Sequence, residues 1–135
     1  MIVVDSSALI AIFFDEPERE AIEAAIVEGG PCIISAVNAH ETACVLRARH
    51  GPEAVERLWR FLGVCEIEIV PFDEAQVRAA AVAFDRYGKG IDPRARLNLA
   101  DCAAYALAKI RDATLLFKGD DFAHTDLRPV VPVTL

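Results

Sequence analysis

Three β-branched residues, Ile2-Val3-Val4, run into a carboxylate and two hydroxyls, Asp5-Ser6-Ser7, before a second apolar stretch from Ala8 to Phe14. A run with no polar residue on either face is a strand buried on both sides, and such strands belong to parallel sheets covered by helices. Asp5 then stands at the carboxyl end of a central strand, the edge along which open α/β sheets bind their ligands. Taken alone, Asp5 or Ser6 reads first as the cap of the helix that follows.

The remaining chain repeats the pattern. Pro31-Cys32-Ile33-Ile34, the alternating Glu66-Ile67-Glu68-Ile69-Val70 and Thr114-Leu115-Leu116-Phe117 predict further strands, and Val130-Val131-Pro132-Val133 a last one at an edge, where proline is tolerated. Helices are expected from Arg19 to Glu28, from the cap Ser35 to about His50, from Glu53 to Leu62, from Glu74 to about Arg86, and from Leu99 to about Ile110. Val55, Leu58, Trp59 and Leu62 form one expected inward face, and Val77, Ala80, Ala81 and Phe84 another. The polar, glycine-bearing stretch from Tyr87 to Arg96 is a loop. Strands alternating with helices predict an α/β sandwich on a mostly parallel sheet, in a single domain over residues 1–135.

Composition excludes several function classes. The longest uninterrupted apolar run, Ala8 to Phe14, is far short of the roughly 20 residues of a membrane helix. No basic segment precedes Asp5 to start a signal peptide, so a cytoplasmic protein without membrane attachment is expected. Cys32, Cys44, Cys65 and Cys102 form no C-x-x-C pair and are expected to be reduced packing residues. A net charge of −7 opposes broad, charge-driven binding to nucleic acid. That objection weakens where carboxylates converge and a divalent cation neutralises them.

Several acids share one position in the predicted fold. Asp5 follows the first strand, Glu41 lies in the helix after the second, Asp101 stands early in the penultimate long helix, and Asp120 or Asp121 follows the Leu115 to Phe117 strand. Glu41 lies on or beside an apolar stripe with Val37, Cys44, Val45 and Leu46, and Asp101 precedes Cys102-Ala103-Ala104. A lone buried carboxylate costs several kcal/mol unless it is paired, protonated or metal-bound. Oxygen ligands without histidine or cysteine select Mg²⁺ or Mn²⁺, and such a site suits phosphodiester hydrolysis.

Four segments together resemble a known family. They are Val4-Asp5-Ser6-Ser7-Ala8-Leu9, Ser35-Ala36 with Glu41, Leu97-Asn98-Leu99-Ala100-Asp101-Cys102-Ala103-Ala104-Tyr105-Ala106-Leu107-Ala108, and Leu115-Leu116-Phe117-Lys118-Gly119-Asp120-Asp121-Phe122 with Thr125-Asp126. The combination is similar to a PIN-domain ribonuclease, and more narrowly to a VapC-type toxin of a bacterial toxin–antitoxin pair. The resemblance implies a PIN-like α/β/α sandwich with four or five strands and an Mg²⁺-dependent endoribonuclease, Mn²⁺ being an alternative metal. It implies catalytic and metal-binding roles for Asp5, Glu41, Asp101 and Asp121, with Asp120 a neighbouring metal contact. It further implies a homodimer and a VapB-type antitoxin. Serine at Ser6 and alanine at Ala100 stand where the family commonly has threonine and glycine, and neither departure removes a carboxylate.

Ser6 or Ser7 is expected to contribute a hydroxyl or backbone contact at the rim, and Arg94, Arg96 and Lys118 to hold RNA phosphates, or else to serve as loop charges and partners of acidic helices. His124 is a further candidate at the rim. The competing readings are a receiver-like signalling domain and a catalytically inactive PIN-fold binding module. A phosphohydrolase with an aspartate nucleophile would need a second aspartate where Ser7 stands.

Overall fold

A computed structural model of the chain describes residues 1–130. In chain order the elements are β1 (Ile2–Val4), α1 (Ser6–Phe13), α2 (Arg19–Glu28), β2 (Cys32–Ser35), α3 (Ala36–His50), α4 (Pro52–Val64), β3 (Glu68–Val70), α5 (Glu74–Tyr87), α6 (Leu99–Ile110) and β4 (Thr114–Leu116), with a final 3₁₀ turn over Asp121–His124. The four strands form one sheet in the order β3-β2-β1-β4, and every pairing is parallel. Ile2 pairs with Cys32, Val4 with Leu116 and Ile34 with Ile69, so β1 and β2 are central and their carboxyl ends lie side by side.

The two-residue period of β1 sorts its side chains between two helical layers. Ile2 and Val4 join Leu9 and Ile12 of α1, Ile22 and Ile26 of α2, Leu46 of α3, and Leu58 and Leu62 of α4. Val3 faces the other way, with Ile33, Val70 and Leu115, against Ala83 of α5 and Cys102, Tyr105 and Leu107 of α6. The result is the expected α/β/α sandwich. The main chain of Arg128 and Val130 bonds to Leu115 at the free edge of β4, at 3.0 and 2.9 Å, and Pro129 pairs with Leu115 in parallel. The rest of the expected last strand, Val131 to Val133, lies outside the described residues.

Two expected helix faces are rotated. On α5 the buried residues are Gln76 and Ala83, whereas Val77 and Phe84 are 47% and 41% exposed. The Asp73 carboxylate caps α5 by accepting the Gln76 N–H at 3.0 Å, and Gln76 Nε2 donates to the Pro71 carbonyl at 2.8 Å. With that end fixed, the helix presents its small side chains to alanine-rich α6 and its larger ones to solvent. On α4, Ala54, Leu58 and Leu62 are buried and Trp59 is exposed. Cys32 and Cys102 pack inside as expected, but Cys44 is exposed, its sulfur 3.7 Å from Nε2 of His40.

Candidate active site

Asp5 leaves β1 as the N-cap of α1. Its main-chain N–H still donates to the Leu116 carbonyl at 2.9 Å, which holds the residue at the β1–β4 junction. Oδ2 accepts the Ser7 N–H at 3.0 Å and the Ser7 hydroxyl at 2.6 Å, whereas Oδ1 receives only a 3.4 Å contact from Asn38 Nδ2. Asp5 therefore caps the helix and keeps one oxygen weakly engaged. Asp5 is 3% exposed, and burial pushes its carboxyl up to about 6, against the opposing hydrogen bonds from Ser7 and with Glu41 adding repulsion.

Asp101 is held by a capping box. Asn98 Oδ1 accepts the Asp101 N–H at 2.8 Å, and Asp101 Oδ2 accepts the Asn98 N–H at 3.0 Å, which fixes the carboxylate in the first turn of α6. Burial raises its pKa to about 7 in spite of the Asn98 bond, and the charges of Asp5, Asp121 and Glu41 push it the same way. Thus α6, α1, α3 and the segment after β4 each bring one carboxylate into the same electrostatic neighbourhood. Asp121 acts on Asp101 there; Asp120 lies one residue earlier, and both side chains are exposed.

The segment bearing Asp121 is tied down on both sides. Phe122 is buried, edge-on to Phe117 at 5.1 Å between centroids. Four residues on, Asp126 accepts the Tyr105 hydroxyl at 2.5 Å and pairs with Lys109 Nζ at 3.0 Å, both on α6. That bond and burial hold the Tyr105 phenol far above its ordinary pKa, burial being the larger cause.

Other expected site residues sit differently. Ser6 is 4% exposed, its hydroxyl donating to the Asn38 carbonyl at 3.3 Å, so it faces the interior and not the rim. Ser7 takes the rim position, its Oγ accepting the Lys118 N–H at 2.9 Å. Lys118 Nζ is bound to Glu16 at 2.6 Å and Glu18 at 3.2 Å, acids of the turn between α1 and α2, so it serves as an ion-pair partner. Arg94 and Arg96 are exposed on the loop before α6; Arg94 pairs with Asp92 at 3.7 Å, and Asp92 also feels the charge of His124. Arg96 adopts φ 51°, a left-handed conformation that costs a non-glycine residue of order 1 kcal/mol. The residue missed from sequence is Asn38, fully buried between Asp5, Ser6 and Ala100. An amide inside a helix, flanked by Val37 and Ala39 and one turn before Glu41, was the available signal.

Among the described residues no three histidine, cysteine, aspartate or glutamate side chains close into a ready-made metal cage. The donor set nevertheless fits a hard divalent cation. It is all oxygen, and it contains two carboxyls destabilised by burial and mutual repulsion; a cation relieves both. Water would complete the shell, as Mg²⁺ favours.

The PIN domain family matches residues 2–127. Ribonuclease VapC30 of Mycobacterium tuberculosis is 42% identical over 128 residues, covering 95% of this chain and 97% of that protein. Ribonuclease VapC of Mycolicibacterium smegmatis is 41% identical over 128 residues, covering 95% and 98%. Among solved structures, VapC20 of M. tuberculosis, a sarcin–ricin-loop-cleaving toxin, superposes with a TM-score of 0.80 at 16% identity, over 98% of this chain and 100% of the other. FitAcB of Neisseria gonorrhoeae gives 0.73 at 20% identity over 100% of both. A match spanning nearly the whole chain, with a parallel four-stranded sheet and acids gathered at its carboxyl edge, makes this chain a member of the PIN-domain family, among the VapC ribonucleases.

Proposed function

We propose that this chain is a divalent-metal-dependent endoribonuclease and the toxin of a type II toxin–antitoxin pair, with Asp5, Glu41, Asp101 and Asp121 as its catalytic and metal-binding acids. The observation that carries this reading is the mutually repelling set of carboxylates at the sheet edge, with Asp5 buried and Asp101 partly so, in a chain belonging to the VapC ribonucleases. Mg²⁺ or Mn²⁺ held by these oxygens supplies an activated water and charge stabilisation for phosphodiester cleavage. The chain's own residues give that chemistry its frame. Ser7 orients the Asp5 carboxylate, Asn98 that of Asp101, and Phe122 with Asp126 seats the segment carrying Asp121. Asp120, beside Asp121, would reach the metal through water.

In this reading Arg94 and Arg96, exposed on the loop before α6, hold RNA phosphates, a sequence-independent contact. Lys118 has less to offer, since Glu16 and Glu18 already take its charge. An RNA substrate puts the activity in the cytoplasm, and no described helix is long and apolar enough to cross a membrane. The partner is a VapB-type antitoxin, an assignment supported by the fold's likeness to a toxin–antitoxin complex from Klebsiella pneumoniae, with a TM-score of 0.69 at 19% identity. A homodimer is supported by the uncovered apolar residues Val77 and Phe84 on α5.

The test is to map new RNA 5′ ends after brief expression of wild type and of Asp5→Asn. Discrete cuts in wild type alone support the reading. Identical patterns from both would remove Asp5, and with it the metal mechanism. Co-purification with the product of an adjacent reading frame tests the toxin assignment separately.

A further inference from the structure

Asn38 is 0% exposed in α3, one turn before Glu41. Its Nδ2 lies 3.1 Å from Ser6 Oγ, 3.1 Å from the Ala100 carbonyl and 3.4 Å from Asp5 Oδ1. An amide nitrogen carries two protons, so three acceptors share them. Ser6 returns a bond to the Asn38 main-chain carbonyl at 3.3 Å, and the Thr42 hydroxyl donates to the same carbonyl at 2.8 Å. The side-chain Oδ1 is buried with no partner among the described residues.

That orphaned oxygen argues against a purely structural role. Leucine, with the same branched skeleton, would carry no such unpaired acceptor of its own, though it would take from Asp5 Oδ1 its one side-chain contact. What leucine could not do is join the three chain segments that bear the acids. The Asn38 amide touches Asp5 itself, reaches the carbonyl of the residue before Asp101, and sits on the helix that carries Glu41.

We propose that Asn38 is a positioning residue: its buried amide clamps Asp5 and the first turn of α6 to α3, and so sets the carboxylate spacing that takes up a divalent cation. The inference rests on the metal reading above and deepens it. Residues that orient metal ligands without touching the metal change affinity roughly 10- to 100-fold when removed, which sets the size of the expected effect.

The experiment measures Mn²⁺ binding to the full chain from the electron paramagnetic resonance signal of free Mn²⁺, for wild type, Asn38→Ala and Asn38→Leu, with Asp5→Asn as a loss-of-ligand control. Melting in EDTA is recorded alongside. Asn38→Leu keeps the branched skeleton of asparagine but is bulkier, and Asn38→Ala is smaller, so the two variants bracket the native volume and do not share one packing defect. The proposal expects Mn²⁺ affinity to fall roughly 10- to 100-fold in the folded variants, out of proportion to any change in melting temperature. A merely structural role lowers the melting temperature in EDTA and leaves the Mn²⁺ dissociation constant where it was. A folded Asn38→Leu that binds Mn²⁺ within about twofold of a binding wild type overturns the positioning role alone. A wild type that does not bind Mn²⁺ overturns the metal reading and the proposal together.

Discussion

At the scale of single residues, Asp5 combines two functions often treated as alternatives. One carboxylate oxygen caps α1 through Ser7, and the other is only weakly engaged by Asn38. Asparagine caps helices about as well as aspartate. Asp5→Asn is therefore expected to fold and to melt no lower than wild type in chelator, while RNA cleavage falls by roughly two orders of magnitude or more. Thermal melting and a cleavage assay on the same preparation check both halves. The cations separate in the same manner. Replacing Arg94 or Arg96 should weaken RNA binding and lower the salt dependence of log K by about one unit each, whereas Lys118→Met should leave that slope nearly unchanged, because Lys118 is bound to Glu16 and Glu18. Asp5, Glu41 and Asp101 were legible in the sequence because charge stands out against apolar runs. Asn38 was not, since an uncharged amide in a helix gives no hint that its partners are 32, 33 and 62 residues away.

At the scale of elements, strands and helix ends followed from local signals: buried β-branched runs, the caps Ser35, Asp73 and Asn98, and glycines at helix stops. The face of α5 did not, because it depends on what lies opposite. Alanine-rich α6 accepts Ala83 at close range and leaves no depth for Val77 or Phe84. The loop after α5 is closed just as tightly. Lys89 N–H donates to the Leu97 carbonyl and Leu97 N–H to the Tyr87 carbonyl, both at 2.8 Å. At Gly88, where this closure begins, an added Cβ would collide with the Phe84 carbonyl and come within 2.6 Å of its ring. Gly88→Ala should therefore destabilise by about 1–3 kcal/mol, seen as a lower urea midpoint at unchanged slope. An unchanged midpoint would mean that the loop and α5 separate at little cost. Because this loop carries Arg94 and Arg96, RNA affinity should fall with the midpoint.

For the whole molecule, the acid cluster sets the pH dependence of stability. Burial first, and neighbouring charge second, raises Asp5 to about 6 and Asp101 to about 7 from the ordinary 3.8. Between those values and the ordinary one the folded chain binds more protons than the unfolded chain, so unfolding free energy falls as pH rises. Asp5 and Asp101 are neutral near pH 4, and their ionisation is most destabilising above pH 7. In chelator, the melting temperature should drop between pH 5 and pH 8, by an amount equivalent to about 1–3 kcal/mol after allowance for the partial exposure of Asp101. Asp101→Asn, which keeps the capping acceptor, should flatten that drop. Mn²⁺ should flatten it as well, by stabilising the ionised form. The net charge of −7 is consistent with the proposed function, in which part of the acidity is gathered where a cation would offset it and the exposed Arg94–Arg96 loop would meet RNA.

The most direct measurement of the central claim is cleavage of a structured RNA by purified protein at pH 8, in Mn²⁺, in excess EDTA, and in EDTA followed by Mn²⁺ in excess, for wild type and Asp101→Asn. Wild type should cut at discrete positions in Mn²⁺, stop in EDTA and recover when Mn²⁺ is restored, and folded Asp101→Asn should be inactive throughout. Cleavage that persists in EDTA, or that survives unchanged in Asp101→Asn, would contradict a metal-dependent acid cluster as the seat of catalysis.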